Sequence, residues 1–588
     1  MGAQSLGAGR GTRLERRRLP LALVPLAVGS LLFSLLGMGL RASRADEPTD
    51  AIIGEHLSVG EFGPARRLAE QEPDPARRDG WLASIAQAQA QAGARSASLA
   101  TAADIGDDQL RAGTLRETGS ARGRRGGNQA DFDSLIDLIQ STVAPDTWGD
   151  APGQGSIMPF QGGVLVDADG VLRRKGAPQL QDGLAGLRQA AFKASANSDS
   201  HRQSPLRKIS LTRLEKQVQL RRAAGRRPSE EMSVLAGLEK IQYVLIYPES
   251  GDIVLAGPAD EWMTGPEGRT VARNSQRPVL QLDDLVVIFR HLHGAADARF
   301  GCSITPSQEA LKRTREFLEA TAKQSLSPGG TKRWLEKVRA SLGKQTIDVY
   351  GIDPRTRVAR VLVEADYRMK LVGMGLEQGT LGVRSYLDSI ELARGQSAPP
   401  LDVLRWWFTL NYDALRTTPP HDAFELRGQG VQVQSENEII TELGGREHTG
   451  QSKPLNRQFV ESFTKHFPEL AEKYPVYAEL QNLFDLAIVA ALIKTEDLKE
   501  RVRWHMTCFG DPDEYHVALG AASTSVETVM NHRIVNQTTV LAGVSGGVSV
   551  DPWKFVRAGS IKPDTYRLKQ DRESAAPRNL PKAAWWWD

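Results

Sequence analysis

The chain is poor in cysteine: 588 residues contain two, Cys302 and Cys508. That count excludes a framework of several disulfides. A single bridge would need the two Cα atoms within about 7 Å, which a sequence cannot supply. The simpler expectation is two small buried residues. An excess of charge is also missing. Seventy-four Lys and Arg oppose 71 Asp and Glu, a formal net charge of +3, and part of the excess sits at the extreme N-terminus. Nucleic acid is therefore not expected as the main partner, because binding phosphates needs a concentrated basic face. Long apolar runs are lacking beyond residue 40. The most apolar later stretch, Leu480 to Ile493, carries Gln481, Asn482 and Asp485 and reads as a core helix. With 40% hydrophobic and 25% charged residues, most of the chain is expected to fold around real cores. Its length leaves room for three or four domains.

The N-terminus carries an address. Arg10, Arg13, Arg16, Arg17 and Arg18 precede an apolar stretch from Leu19 to Leu40, and Ser43-Arg44-Ala45 then places small residues where a signal peptidase reads. This order predicts a secretory signal over residues 1–45, cleaved after Ala45, and an exported protein of the periplasm or cell envelope. The alternative is an uncleaved anchor over residues 19–40, since that run is about long enough to cross a bilayer. The adjacent arginines also permit twin-arginine export.

The remainder reads as a multidomain α+β chain. Residues 50–117 are alanine-rich and helical. Gly60 and Gly93 stand one helix-hairpin repeat apart, which predicts a tetratricopeptide-like start. Residues 118–130 form a basic linker, and 131–194 a small α+β unit with Trp148 and a strand at Gly163 to Val166. Residues 206–300 and 301–400 read as a duplicated β-α-α-β-β unit. In the second copy, Thr305 is expected to cap a helix, and the last strand is expected at Val358 to Glu364. Residues 401–557 form a mixed α/β part with a Trp406-Trp407 strand and a hairpin from Phe424 to Glu436. Residues 558–588 are a polar tail ending in Trp585-Trp586-Trp587-Asp588.

Several stretches, among them Leu235-Ala236-Gly237-Leu238, Tyr247-Pro248-Glu249, Cys302-Ser303-Ile304, Glu364-Ala365-Asp366-Tyr367 and Arg405-Trp406-Trp407-Phe408, together resemble the exported planctomycete family catalogued as domain-of-unknown-function 1598. The likeness covers roughly residues 130 to 500. It implies no activity, cofactor or catalytic residue. Residues 131–166 are also similar to a small module of exported planctomycete proteins with secretin-like ring-building domains, which implies contact between copies of small domains.

Candidate sites are few. His291 and His293 would need further ligands to hold zinc. His505 and Cys508, with His516 or Asp513, are a nucleophile and base on paper only, because no nucleophile turn accompanies them. The acidic pairs Asp283-Asp284 and Glu364/Asp366 suit glycoside hydrolysis by type. A helix start explains the first pair more simply, and a charge-balanced edge strand the second. Gly373-Met374-Gly375 with Gly379 lacks a phosphate loop's lysine, and Asp167-x-Asp169-Gly170 lacks a calcium loop's closing glutamate. No catalytic, metal or cofactor residue is assigned. Trp148, Trp585, Trp586 and Trp587 are the candidate interaction residues, the last three docking either on a partner or on the chain itself.

The sequence thus predicts a non-enzymatic envelope protein working through protein contacts, with self-association possible. An exported hydrolase on cell-wall or polysaccharide material, or a solute-binding protein, is the alternative.

Overall fold

A computed structural model describes residues 47–120, 156–160, 163–167, 199–321, 328–391, 402–441, 445–535, 538–557, 559–564 and 566–588. The signal segment with Ala45 and the site at Trp148 lie outside the described residues. The chain is a multidomain α+β protein. Its contacts divide it into Met1–Ile52 and Ile53–Asp588.

Five helices open the described chain: α1 (Glu47–Ser58), α2 (Phe62–Glu70), α3 (Pro75–Gln91), α4 (Arg95–Ala102) and α5 (Asp108–Ser120). Gly60 and Gly93 follow the ends of α1 and α3 with φ of +78° and +80°. This left-handed cap is where glycine carries no Cβ penalty, so their spacing marks two successive helix ends. Small residues do the packing: Ala65, Ala69, Ile85 and Ala86 are fully enclosed in one cluster. Asp74 caps α3 by accepting from the Ala76 amide.

Strands β1 (Ser156–Phe160) and β2 (Gly163–Asp167) pair antiparallel, which agrees with the strand expected at 163–166. Next come β3 (Ser204–Ser210), α6 (Leu211–Ala223), β4 (Tyr243–Tyr247) and β5 (Asp252–Ala259), then the short hairpin β6 (Trp262–Thr264) and β7 (Thr270–Ala272). The first β-α-α-β-β unit has the expected order, although its second helix shrinks to Glu230–Ser233 and runs into a left-handed turn at Leu235 and Ala236. Helix α7 (Leu282–Gly294) leads to β8 (Phe300–Pro306), α8 (Gln308–Thr321), α9 (Pro328–Leu342) and β9 (Lys344–Tyr350).

Two expectations fail here. Ser307, not Thr305, caps α8, its hydroxyl accepting from the Ala310 amide. The strand expected at Val358–Glu364 is helix α10 (Arg357–Gly373). Thr356 caps that helix, and Val358, Val361, Leu362, Ala365, Met369 and Val372 bury a stripe at helical spacing. A β-branched run resembles a strand locally, but the three-to-four period decides it. The second unit is therefore β-α-α-β-α.

The C-terminal part supplies β10 (Asp402–Asn411), β11 (Ala414–Thr417), β12 (Ala423–Arg427), β13 (Gly430–Ile440), β14 (Arg446–His448), α11 (Pro454–Lys465), α12 (Phe467–Lys473), α13 (Pro475–Thr495), β15 (Ser525–Glu527), β16 (Met530–Val535), β17 (Thr538–Val550), β18 (Ile561–Pro563) and β19 (Trp586–Trp587). One sheet runs β14-β13-β10-β17-β8-β9-β15, with β16 also on β17; the other runs β18-β11-β12-β4-β5-β3-β19. The hairpin expected from Phe424 to Glu436 does not form. β12 joins β4 while β13 joins β10, so the chain changes sheet at Gly428-Gln429-Gly430, where both glycines have positive φ. The two β-α-α units also feed different sheets. Helix α13 packs against α7, α10, α12 and β13, and is long and apolar enough to cross a membrane yet buried along its apolar window.

Candidate functional site

The acidic pairs separate in space. Asp284 opens α7, Arg357 opens α10, Glu479 lies in the first turns of α13, and Arg269 extends from the β6–β7 hairpin. Arg357 bridges Asp284 and Glu479, and Arg269 bridges Glu479 and Glu364 while reaching Glu267 at 3.0 Å. Asp284 and Glu364 thus end one chain of alternating carboxylates and guanidinium groups. Burial pushes the Asp284 carboxyl up to about 6 against the pull of Arg357. Glycoside hydrolysis needs an open gap between two carboxylates for sugar and water. Here a guanidinium fills each gap, and the cluster ties three helices to a hairpin. Asp283 is also engaged: it accepts from the Tyr515 hydroxyl at 2.9 Å and the Ala518 amide at 3.0 Å.

Asp366 lies elsewhere. It faces Lys370 one turn along α10, with 2.6 Å between Nζ and Oδ2, and both side chains are fully enclosed. The expected exposed edge strand is thus a buried helical ion pair. Cys302 lies near it, its thiol pushed up by burial and by the Asp366 charge.

Cys508 and His505 do not form a pair. His505 turns to Asp108, its Nε2 lying 3.6 Å from Oδ1, while its backbone amide donates to Oδ2 of the same carboxylate at 2.7 Å. The Cys508 thiol is buried and pushed up by desolvation and by Glu215, the carboxylate that accepts from the amides of Cys508 and Phe509. A thiol held protonated is a poor nucleophile. Both cysteines are free. His291 and His293 lie inside α7 and diverge, one on the Arg299 carbonyl and the other on that of Ala490. Gly373 ends α10, where a Cβ would fall 2.1 Å from the Trp406 ring, so packing explains this glycine. Among the described residues no group of three or more His, Cys, Asp or Glu could hold a metal ion.

The tryptophan tail docks on the chain itself. Trp586 and Trp587 pair with Ile209 and Lys208 as the edge strand of the seven-stranded sheet. Trp585 and Trp586 are buried. The Trp586 indole donates to Glu231 at 2.8 Å, that of Trp587 to the Ala575 carbonyl at 3.2 Å. Arg207, fully buried, lies over the Trp586 ring and donates to both carboxylate oxygens of Asp588 at 2.9 and 3.0 Å. Three tryptophans that look costly to expose are therefore largely covered by the chain's own sheet edge.

One feature escaped the sequence. A cavity of about 270 Å³ opens where α8 begins, lined by Pro306, Gln308, Leu311, Gly445, Arg446 and His448. His448 contacts Glu436 at 3.2 Å and Glu438 at 3.4 Å, and Arg446 contacts Glu438 at 3.3 Å. Against the effect of burial, the Gly450 amide and His448 hold the Glu436 carboxyl low. The only signal available was the alternation of Glu436 and Glu438 in β13. It has no meaning until β14 folds beside them.

Residues 302–386 match the model of a family described as Protein of unknown function (DUF1598). That stretch runs from β8 through α10, and so includes one wall of the cavity and the Asp366–Lys370 pair. No curated protein and no solved structure matches the chain.

Proposed function

We propose that the protein is exported to the cell envelope and works there by contact with other envelope proteins, without catalysing a reaction. The observation that carries this reading is the placement of Arg357 and Arg269 between the carboxylates of Asp284, Glu479 and Glu364. Residues that suit acid–base chemistry by type are spent on holding α7, α10 and α13 together. The buried thiols point the same way. The basic and apolar N-terminal segment supports export, with membrane attachment through residues 19–40 if it is not cleaved.

A panel of glycan and ester substrates tests the non-catalytic part. No turnover above background is expected. A rate that disappears in Asp284→Asn or Asp366→Asn, with the fold intact, would replace it with the hydrolase reading.

A further inference from the structure

The cavity beside the start of α8 and strand β14 holds an arginine with unused hydrogen-bonding capacity. Arg446 lines it, and its hydrogen bonds all leave from Nη1. They run to both carboxylate oxygens of Glu438 and to the Ser545 hydroxyl, each at 3.3 Å. Among the described residues Nε and Nη2 have no partner, although the side chain is only 22% exposed. A guanidinium carries five N–H donors, and partly buried donors left unmet are unfavourable. Arg357 and Arg269 show how the chain meets such donors elsewhere, each lying between carboxylates. Arg446 has a single carboxylate partner among the described residues, and a cavity beside it.

Glu438 fixes this arginine. Its side chain is fully buried and also accepts from the Ser545 hydroxyl at 3.1 Å, so the guanidinium is held in place before anything binds. His448, on the same wall, uses Nδ1 for contacts to Glu436 at 3.2 Å, Arg405 at 3.3 Å and Glu438 at 3.4 Å. Its Nε2 has no partner among the described residues and offers one further hydrogen bond. Pro306 and Leu311 make the wall partly apolar.

Charge and size narrow the ligand. Arg405 and Arg446 balance Glu436 and Glu438, so no surplus cation waits for a dianion. A second negative charge would face those two glutamates, and a cationic ligand would face Arg446. The volume of about 270 Å³ lies just under the roughly 300–1,000 Å³ of pockets for drug-sized ligands. A planar carboxylate matches the two-pronged edge of a guanidinium.

We propose that this cavity binds a small organic acid with one carboxylate and a short apolar body. The carboxylate takes the Nε–Nη2 edge of Arg446, and the body rests on Pro306 and Leu311. His448 Nε2 bonds to the carboxylate or to a polar group next to it.

The test is calorimetric titration of the purified full chain with butyrate, lactate and N-acetyl-leucine. The matching amides are the neutral controls, butylamine the cation and butyl phosphate the dianion. At least one acid binds with one-to-one stoichiometry, and its amide binds at least tenfold more weakly. Arg446→Lys keeps a positive charge beside Glu438 but loses the fork, and weakens binding at least tenfold. Gln308→Glu adds a negative charge to the lining at a helix start, where an acid is favourable. It weakens binding several-fold without lowering the melting temperature, so a folding defect in the arginine variant cannot mimic the result. Absence of binding by every acid overturns the proposal. So does equal binding of acid and amide, a preference for butylamine or butyl phosphate, or binding that neither variant changes.

Discussion

Lys370 Nζ stands 2.6 Å from Asp366 Oδ2, one turn apart on α10, with both side chains fully enclosed beneath β8 and β17. Lys370 also donates to the Ile304 carbonyl at 3.3 Å. Burial raises the Asp366 carboxyl, and the ammonium opposes that. Removing one partner leaves the other charge buried and alone, which costs about 3–5 kcal/mol. Asp366→Asn should therefore lose stability of that order in urea unfolding. The double change Asp366→Leu with Lys370→Met should lose clearly less, because it buries no unpaired charge.

Acid dependence follows from Asp485 on α13. Burial pushes its carboxyl up to about 6, while Lys240 and Arg277 pull it down and the Tyr412 hydroxyl donates to it at 2.6 Å. The folded value lies above the ordinary one of about 3.9, so between the two the folded state holds more protons than the unfolded state. Stability should fall as pH climbs from about 4 to about 6, and Asp284 acts in the same direction. In denaturant titrations across that range, Asp485→Asn should show a shallower fall than the wild type. The amide oxygen still accepts from Tyr412.

The tail is a structural strand on this account. Deleting residues 585–588 removes two buried tryptophans, the edge strand on β3 and the carboxylate partner of buried Arg207. Loss of a single buried tryptophan side chain costs roughly 3–5 kcal/mol, so a fall in melting temperature of many degrees is expected. Asp588→Ala should cost about 1–3 kcal/mol, because it leaves buried guanidinium donors unsatisfied. A truncated chain as stable as the full one would show that the strand does not dock in solution.

Thiol chemistry gives a simple check. Cys302 and Cys508 are buried with their thiols pushed up, so a thiol reagent should modify neither at neutral pH in the native protein. Both should react at once in denaturant, with a count of two free thiols.

Much of the architecture was legible where periodicity is strong. The helical start with its two capping glycines, the Trp406-Trp407 strand and the buried helix at 475–495 all follow from local pattern. Val358 to Glu364 misled because β-branched residues suit strands on average, while the cap at Thr356 and the stripe running on to Val372 settle the helix. The false hairpin at Phe424–Glu436 failed for another reason. Two adjacent strands with a glycine turn look alike whether they pair or part to different sheets, and only long-range partners distinguish the two. The charged cluster was half legible. Asp284 and Glu364 stood out as acids, but Arg269, Arg357 and Glu479 come from distant positions that no spacing links. The strand order of the eight-stranded sheet was invisible, because its neighbouring strands come from distant parts of the chain.

Cross-linking in living cells tests the central claim most directly, with an affinity tag inserted after residue 45 so that the docked Trp585–Asp588 strand stays intact. Recovery of one or more envelope proteins in near-stoichiometric amounts is the predicted result, and it would direct interface mapping first to residues 131–166. Recovery of the chain alone under conditions that capture a known envelope complex would contradict a role in protein contacts.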